Sequence, residues 1–219
     1  MSKLVKFFVV GLFMLNADGV YAECMQRAPN IRVNVANDLG RVVYDHSKSR
    51  SDFRYAAPDG AVMSDDTAGA TLVNLQIEGN TETVVMKDKG GWCVSISNVN
   101  MQMFLGDIIV LIDKKYPVGS CEYNAIIAHE NKHVSVARTV VDFYVPYVRK
   151  ELERIVDSMS TVRVSEQAQA RSVQRQFTRE VNQRIQPMLE LIKEQLQKGN
   201  SDLDTPENYA KETGMCKNW

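Results

Sequence analysis

The hydrophobic periodicity of this chain changes at about residue 120, and that change limits the folds available to it. Upstream, over residues 30–115, short stretches alternate apolar with polar residues between turn signals such as Glu78-Gly79-Asn80 and Lys89-Gly90-Gly91. A two-residue period with tight turns is typical of neighbouring β-strands. Downstream, apolar residues recur at the three- and four-residue spacing of amphipathic helices. Strands followed by helices predict an α+β fold.

The first half predicts an antiparallel sheet of about four to six short strands, because tight turns join antiparallel neighbours. The segments with the clearest strand pattern are 31–35, 72–77, 83–86, 92–96 and 108–112. The stretch from Asp45 to Gly69 is polar and lacks periodicity. It therefore predicts a long loop.

The second half predicts two long helices, over about 120–159 and 165–198. Pro146 lies inside the first and should kink it, and Pro187 should bend or interrupt the second. We expect the two helices to form an antiparallel hairpin, followed by a polar tail over 199–219. The whole prediction is an antiparallel sheet packed on a long helix, with a helical extension after it.

One motif in the first helix carries chemistry, His129-Glu130-Asn131-Lys132-His133, which has the form HExxH. On a helix the two imidazoles lie one turn apart on the same face, which suits two ligands of one Zn²⁺. Glu130 could then act as general base on a zinc-activated water. It lies in the middle of the apolar stripe, where a carboxylate is unfavourable without a cavity, a partner or a metal site. The simpler alternative is a buried glutamate paired with an arginine, beside two half-buried histidines.

The HExxH motif is typical of zincin-like metallopeptidases. Around it, the stretch CEYNAIIAHENKHV, from Cys121 to Val134, resembles an uncharacterised family of secreted bacterial proteins described as zinc-dependent proteases. That family joins a β-rich N-terminal half to an HExxH helix. The resemblance implies that His129 and His133 bind zinc and that Glu130 is the catalytic base.

The resemblance does not extend to the C-terminal end, where related sequences carry a Tyr-Asp…Thr…His-Gly pattern. This chain has Tyr209-Ala210-Lys211-Glu212-Thr213-Gly214 instead, without that aspartate or histidine. The sequence therefore assigns no third zinc ligand. The remaining candidates are Glu212, Glu207 and His46.

The first 22 residues predict a signal peptide: Lys3 and Lys6 precede an apolar stretch over 7–15, and Ala22 ends a cleavage site. The rest divides into a zincin-like α+β domain, 23–160, and a helical extension with its tail, 161–219. Export places the four cysteines in an oxidising compartment, where an even number predicts two disulfides. We favour Cys24–Cys216, which would tie the termini, and Cys93–Cys121, which would join a strand to a helix start.

Composition removes other classes of function. With 26 Lys+Arg against 27 Asp+Glu, the chain has no general attraction for nucleic acid. No apolar run of membrane-spanning length follows the signal peptide, so we expect no integral membrane segment in the mature protein.

The resulting prediction is a periplasmic or secreted zinc metallohydrolase, a peptidase acting on peptides or proteins. The rival is a degenerate zincin that serves as a periplasmic binding or assembly module through its helical hairpin. The missing C-terminal pattern favours the rival, and the intact Glu130 favours the enzyme.

Overall fold

The computed structural model describes Cys24 and residues 30–56, 67–217 and 219. The predicted signal peptide and residues 57–66 of the predicted 45–69 loop lie outside these residues. In the described part of that segment the loop prediction is wrong, because Arg50–Ala56 forms a short helix. The described elements, in chain order, are β1 (Arg32–Asp38), β2 (Arg41–Asp45), α1 (Arg50–Ala56), β3 (Gly69–Leu72), β4 (Gln76–Asp88), β5 (Gly91–Phe104), β6 (Asp107–Ile112), α2 (Cys121–Asp157), β7 (Val162–Val164), α3 (Ala170–Leu203) and α4 (Pro206–Thr213). The α+β class is confirmed.

The strands form two mixed sheets. One has the order β1-β5-β4 with β7 also beside β5, and the other has the order β2-β6-β3. β1 runs parallel to β5 and β2 runs parallel to β6, so the prediction of an antiparallel sheet is wrong for these pairs. Tight-turn signals report strands joined directly along the chain, such as the β4–β5 hairpin at Lys89-Gly90-Gly91. The parallel pairing joins distant residues, Arg32 with Asn98 for example, which no turn signal can report.

The two sheets meet at a corner, where the chain turns from β1 into β2 and, beside it, from β5 into β6. Gly40 and Gly106 occupy the left-handed backbone region, with φ of 67° and 59°, which favours glycine. A Cβ on Gly40 would lie 2.1 Å from the carbonyl oxygen of Gly106, so the backbones approach too closely for any side chain. This corner sets the position of the β2-β6-β3 sheet relative to α2.

α2 connects the sheets to the helical half. It begins after Ser120, whose side chain accepts a hydrogen bond from the backbone N–H of Tyr123 as an N-cap. It runs through Pro146 to Asp157, and its predicted apolar stripe is buried in the core. On the opposite side Arg138 donates to the carbonyl oxygens of Leu39 and Gly40, next to the corner between the sheets.

α3 packs antiparallel to α2. Its predicted apolar stripe is buried from Val173 to Ile192, whereas Leu196 is half-buried, and the helix continues through Pro187. Near its end, a Cβ on Gly199 would lie 2.6 Å from Cγ1 of Val136 on α2. This close approach brings the C-terminal end of α3 against the HExxH turn of α2.

The predicted polar tail is instead helical. α3 extends to Leu203, and α4 starts after Thr205, whose side chain accepts from the backbone N–H of Asn208. Pro206 then occupies the first turn of α4, where its fixed φ is favourable and its missing N–H is not needed. Polar composition was a poor guide here, because helices with no buried residues, such as α4, need no apolar stripe.

The disulfides join Cys24 to Cys93 and Cys121 to Cys216. Two bridges were predicted correctly, but the favoured connectivity was wrong, because chain spacing does not report which segments pack together. Cys93 lies in β5 and Cys121 begins α2, where its partner follows α4. The bridges indicate an oxidising compartment. No helix among the described residues is long and apolar enough to cross a membrane.

Candidate metal centre

α2 places the HExxH side chains in the protein interior. His129, Glu130 and His133 are only 6%, 4% and 8% exposed, respectively. The two histidines lie one turn apart, and their Nε2 atoms are 3.0 Å from each other. Two imidazole nitrogens directed at one point are the arrangement that the motif predicts.

Asp204 joins the histidines from another part of the chain. It caps the C-terminal end of α3, and its Oδ1 lies 3.1 Å from Nε2 of His129 and 3.2 Å from Nε2 of His133. The close packing of α3 on α2 at Gly199 brings it there. Asp204 was not among the sequence candidates for a third ligand.

The other nitrogen of each imidazole faces an acceptor. Nδ1 of His133 lies 3.0 Å from Oδ1 of Asn200, at hydrogen-bond distance. Nδ1 of His129 lies 2.9 Å from Oε2 of Glu212, at ion-pair distance but without hydrogen-bond alignment. Acceptors beside Nδ1 favour the tautomer with its proton on that nitrogen. In that tautomer the Nε2 lone pairs could converge on an ion beside Asp204, as in sites where outer residues orient histidine ligands. Without an ion, a histidine that donates a hydrogen bond to Asp204 carries a proton on Nε2.

The dimensions of this group fit a metal ion. His129, His133 and Asp204 offer two imidazole nitrogens and one carboxylate oxygen, separated by 3.0, 3.1 and 3.2 Å. Ligand atoms about 2.0–2.1 Å from one tetrahedral ion stand roughly 3.3 Å apart. The three residues could therefore hold a small divalent ion with little rearrangement.

Electrostatics within the group favour positive charge. Burial lowers the pKa of each histidine, but the neighbouring acceptors together outweigh that effect and raise both values above the ordinary one. These acceptors are Asp204, Glu212 and Glu130 for His129, and Asp204, Asn200 and Glu130 for His133. Burial also opposes ionisation of Asp204, yet hydrogen bonds with His129, His133 and Tyr209 hold its pKa well below the usual range. An ionised carboxylate beside two imidazoles is a cation-attracting centre.

The side chain of Glu130 contacts β3. The hydroxyl of Thr71 donates to Oε2 of Glu130 over 2.8 Å, so its partner among the described residues is a threonine and not an arginine. A Cβ on Gly69 would lie 2.7 Å from Oε1 of Glu130, so this glycine leaves the space that the carboxylate occupies. Burial raises the pKa of Glu130, and the hydrogen bond from Thr71 offsets only part of that rise.

α4 covers the centre with two side chains. The hydroxyl of Tyr209 donates to Oδ1 of Asp204 over 2.7 Å, and its ring lies 5.2 Å from that of His129. Oε1 of Glu212 lies 2.7 Å from Nζ of Lys132. Glu212 lies next to the centre, but it is on the Nδ1 side of His129 and outside the group of potential ligands among the described residues.

The other two sequence candidates do not join the centre. His46 packs edge-on against Tyr123, with ring centroids 5.1 Å apart. Glu207 is exposed in the first turn of α4 and is absent from the cluster of potential ligands in the described part of the chain. Asp204, and neither of these residues, lies beside the two histidines.

A cavity of about 540 Å³ opens beside the centre. His129, Glu130, Tyr209 and Glu212 form one part of its wall, and Thr67, Ala68 and Gly69 form another. A molecule in this cavity would contact both Glu130 and Tyr209.

Comparison of the chain with models of known protein families, with curated proteins and with solved structures found no match. The geometry of the centre and the sequence motif are therefore the evidence on function.

Proposed function

We propose that this protein is an exported zinc-dependent hydrolase that cleaves peptide bonds. The proposal is carried by the convergence of His129 Nε2, His133 Nε2 and Asp204 Oδ1 at 3.0–3.2 Å. Two histidines and one carboxylate form a ligand set of catalytic zinc sites, which keep a further position open. The disulfides and the predicted signal peptide support export.

The residues around the centre would have different roles in hydrolysis. When bound, zinc supplies Lewis acidity, which polarises a carbonyl group and makes water a better nucleophile near neutral pH. Glu130 takes a proton from the attacking water and passes it to the leaving amine. Thr71 fixes the Glu130 carboxylate by its hydrogen bond. Tyr209 can turn its hydroxyl from Asp204 to the carbonyl oxygen of the substrate, where negative charge develops.

The position of β3 supports a peptide as the substrate. β3 is an edge strand of its sheet, with β6 as its described neighbour. Thr67 and Ala68, just before β3, and Gly69, its first residue, line the cavity beside Glu130. An extended peptide can pair with the free side of an edge strand through backbone hydrogen bonds. Such pairing would bring a peptide carbonyl alongside the Glu130 carboxylate.

The rival function, a binding or assembly module without activity, has one observation in its favour. Phe143 and Tyr147 on α2 are 56% and 48% exposed, and their rings are in contact. Exposed aromatic rings are enriched in protein interfaces. Asp204, however, could supply the third ligand that the sequence did not assign, which weakens the case for the rival.

Glu130→Gln separates the two functions. The substitution keeps the shape of the side chain and removes only its ability to take a proton, so zinc should stay bound while cleavage falls by about 10²–10⁴. Glu122→Gln is a matched control, because Glu122 is another buried glutamate on α2 outside the centre. Zinc content, melting temperature and cleavage of a broad peptide library should be measured for wild type and both variants.

Two outcomes would contradict the proposal. A wild-type protein that binds zinc but cleaves nothing in the library would favour the rival. Cleavage unchanged by Glu130→Gln would place the activity elsewhere in the chain.

A further inference from the structure

A second part of the cavity wall is organised around one buried ring. Tyr116, between β6 and α2, is 5% exposed. Arg50 Nη2 donates to its hydroxyl over 3.3 Å, and Lys115 Nζ lies 5.0 Å from its ring centroid. The indole of Trp219 packs against it edge-on, with centroids 5.9 Å apart. These four residues, here called the Tyr116 cluster, all line the cavity beside the metal centre.

The charges of the cavity wall are segregated. Glu130 and Glu212 lie with the metal centre, whereas the Tyr116 cluster contributes two cations. Arg50 has a buried acidic neighbour, since its Nε is 3.4 Å from Oδ2 of Asp113. For Lys115, no carboxylate within the described part of the chain lies at ion-pair distance, and its ammonium rests on the Tyr116 ring. A cation held against an aromatic wall is suited to an incoming anion, because complementary charge steers and orients a ligand.

We propose that the Tyr116 cluster binds a carboxylate of the substrate, through the ammonium of Lys115. This inference rests on the proposed peptidase function, and it specifies the substrate class as peptides with a negative group near the cleaved bond. The carboxylate can come from the C-terminus of the peptide or from an aspartate or glutamate side chain. A cavity of about 540 Å³ is within the range of roughly 300–1,000 Å³ typical of ligand sites. One short peptide segment could therefore contact Glu130 and Lys115 at once.

Four peptides that differ only in their carboxylates test the proposal. Each has either a free or an amidated C-terminus, and each has either glutamate or glutamine at one internal position. Their binding to zinc-loaded Glu130→Gln protein, which should not cleave them, is measured by calorimetry, and their cleavage is measured with otherwise wild-type protein. We expect the peptide carrying the recognised carboxylate to bind about ten-fold more tightly than its neutral partner at low salt, with a smaller ratio at high salt. The corresponding preference in cleavage should appear in KM and not in kcat.

Lys115→Gln should reduce this preference to about two-fold or less. Lys114→Gln is the matched control, since Lys114 is also exposed and adjacent in sequence but does not line the cavity. It should leave the preference intact. A preference for the free C-terminus would identify the terminal carboxylate as the ligand, and a preference for glutamate would identify the side chain.

The two proposals fail in different ways. Equal binding of charged and neutral peptides, or a preference that survives Lys115→Gln, would overturn carboxylate recognition while leaving cleavage in place. Lys115-dependent binding of the charged peptides without any cleavage would support recognition and refute the peptidase.

Discussion

Removing the Cys121–Cys216 disulfide should weaken metal binding from a distance. α4 carries Tyr209 and Glu212 to the centre, yet none of its residues is buried, so little apolar contact holds it in place. The bridge ties the chain just after α4 to the first residue of α2. Replacing both cysteines with serine should let α4 detach and withdraw Glu212 from His129.

The expected loss of zinc affinity is partial, because the three potential ligands lie outside α4. His129, His133 and Asp204 lie on α2 and at the end of α3, so they stay together without α4. Loss of residues that orient metal ligands typically lowers metal affinity by about 10–100-fold. Zinc affinity of the double variant Cys121→Ser/Cys216→Ser, measured by competition with a chelator, should fall by that factor and not vanish.

The Cys24–Cys93 disulfide provides a control, because its removal should cost a similar free energy of unfolding. By loop-closure entropy, a bridge across the 95-residue separation of Cys121 and Cys216 stabilises the fold by about 4.7 kcal/mol. The 69-residue separation of Cys24 and Cys93 gives about 4.4 kcal/mol. The two double variants should therefore lose similar free energies of unfolding in urea, but only the Cys121/Cys216 variant should lose zinc affinity. Equal zinc affinity in both variants, whether lowered or unchanged, would refute the role given to α4.

Three further substitutions test individual contacts. Asp204→Ala should remove stoichiometric metal from the purified protein. Asp202→Ala should keep the metal, because Asp202 is paired with a lysine at the surface, and the reverse result would exclude Asp204 as a ligand. Thr71→Val should keep the metal but lower kcat by roughly 10–100-fold, because a hydrogen bond to a charged group contributes about 1.5–3 kcal/mol. An unchanged kcat would show that Glu130 does not depend on the hydrogen bond from Thr71. Gly69→Ala should also lower kcat with metal retained, since the added Cβ would lie 2.7 Å from Oε1 of Glu130, and full activity would show that the carboxylate can move without effect.

The features that the sequence predicts well are local. An amphipathic stripe reports which face of a helix is buried, so α2 and α3 could be placed before their partners were known. The i, i+4 spacing of His129 and His133 determines that they share a face, and the stripe places Glu130 in the interior. All three are buried in the structure.

Asp204 was missed because its role depends on packing between distant segments. It lies 75 residues from His129 in the chain, and it reaches the centre only because α3 approaches α2 closely at Gly199. One local signal was available: Thr205-Pro206 has the residue types of an N-cap and a first helical position. Recognising that helix start would have identified Asp204 as a corner residue between two helices.

The same limit applies to the sheets and the disulfides. The parallel pairing of β1 with β5 joins segments separated by β2, α1, β3 and β4, and no local pattern predicts it. The partner of Cys121 likewise depends on where α4 docks. Periodicity specifies elements and their buried faces, whereas connectivity between distant elements is set by the packed structure.

Metal analysis of the purified mature protein determines whether the two histidines hold a zinc ion. After exposure to zinc and dialysis, the wild-type protein should retain about one Zn²⁺ per chain. The His129→Ala/His133→Ala double variant should retain none, with its folding checked by circular dichroism. A wild-type protein without zinc, or stoichiometric zinc in the double variant, would contradict the metal centre described above.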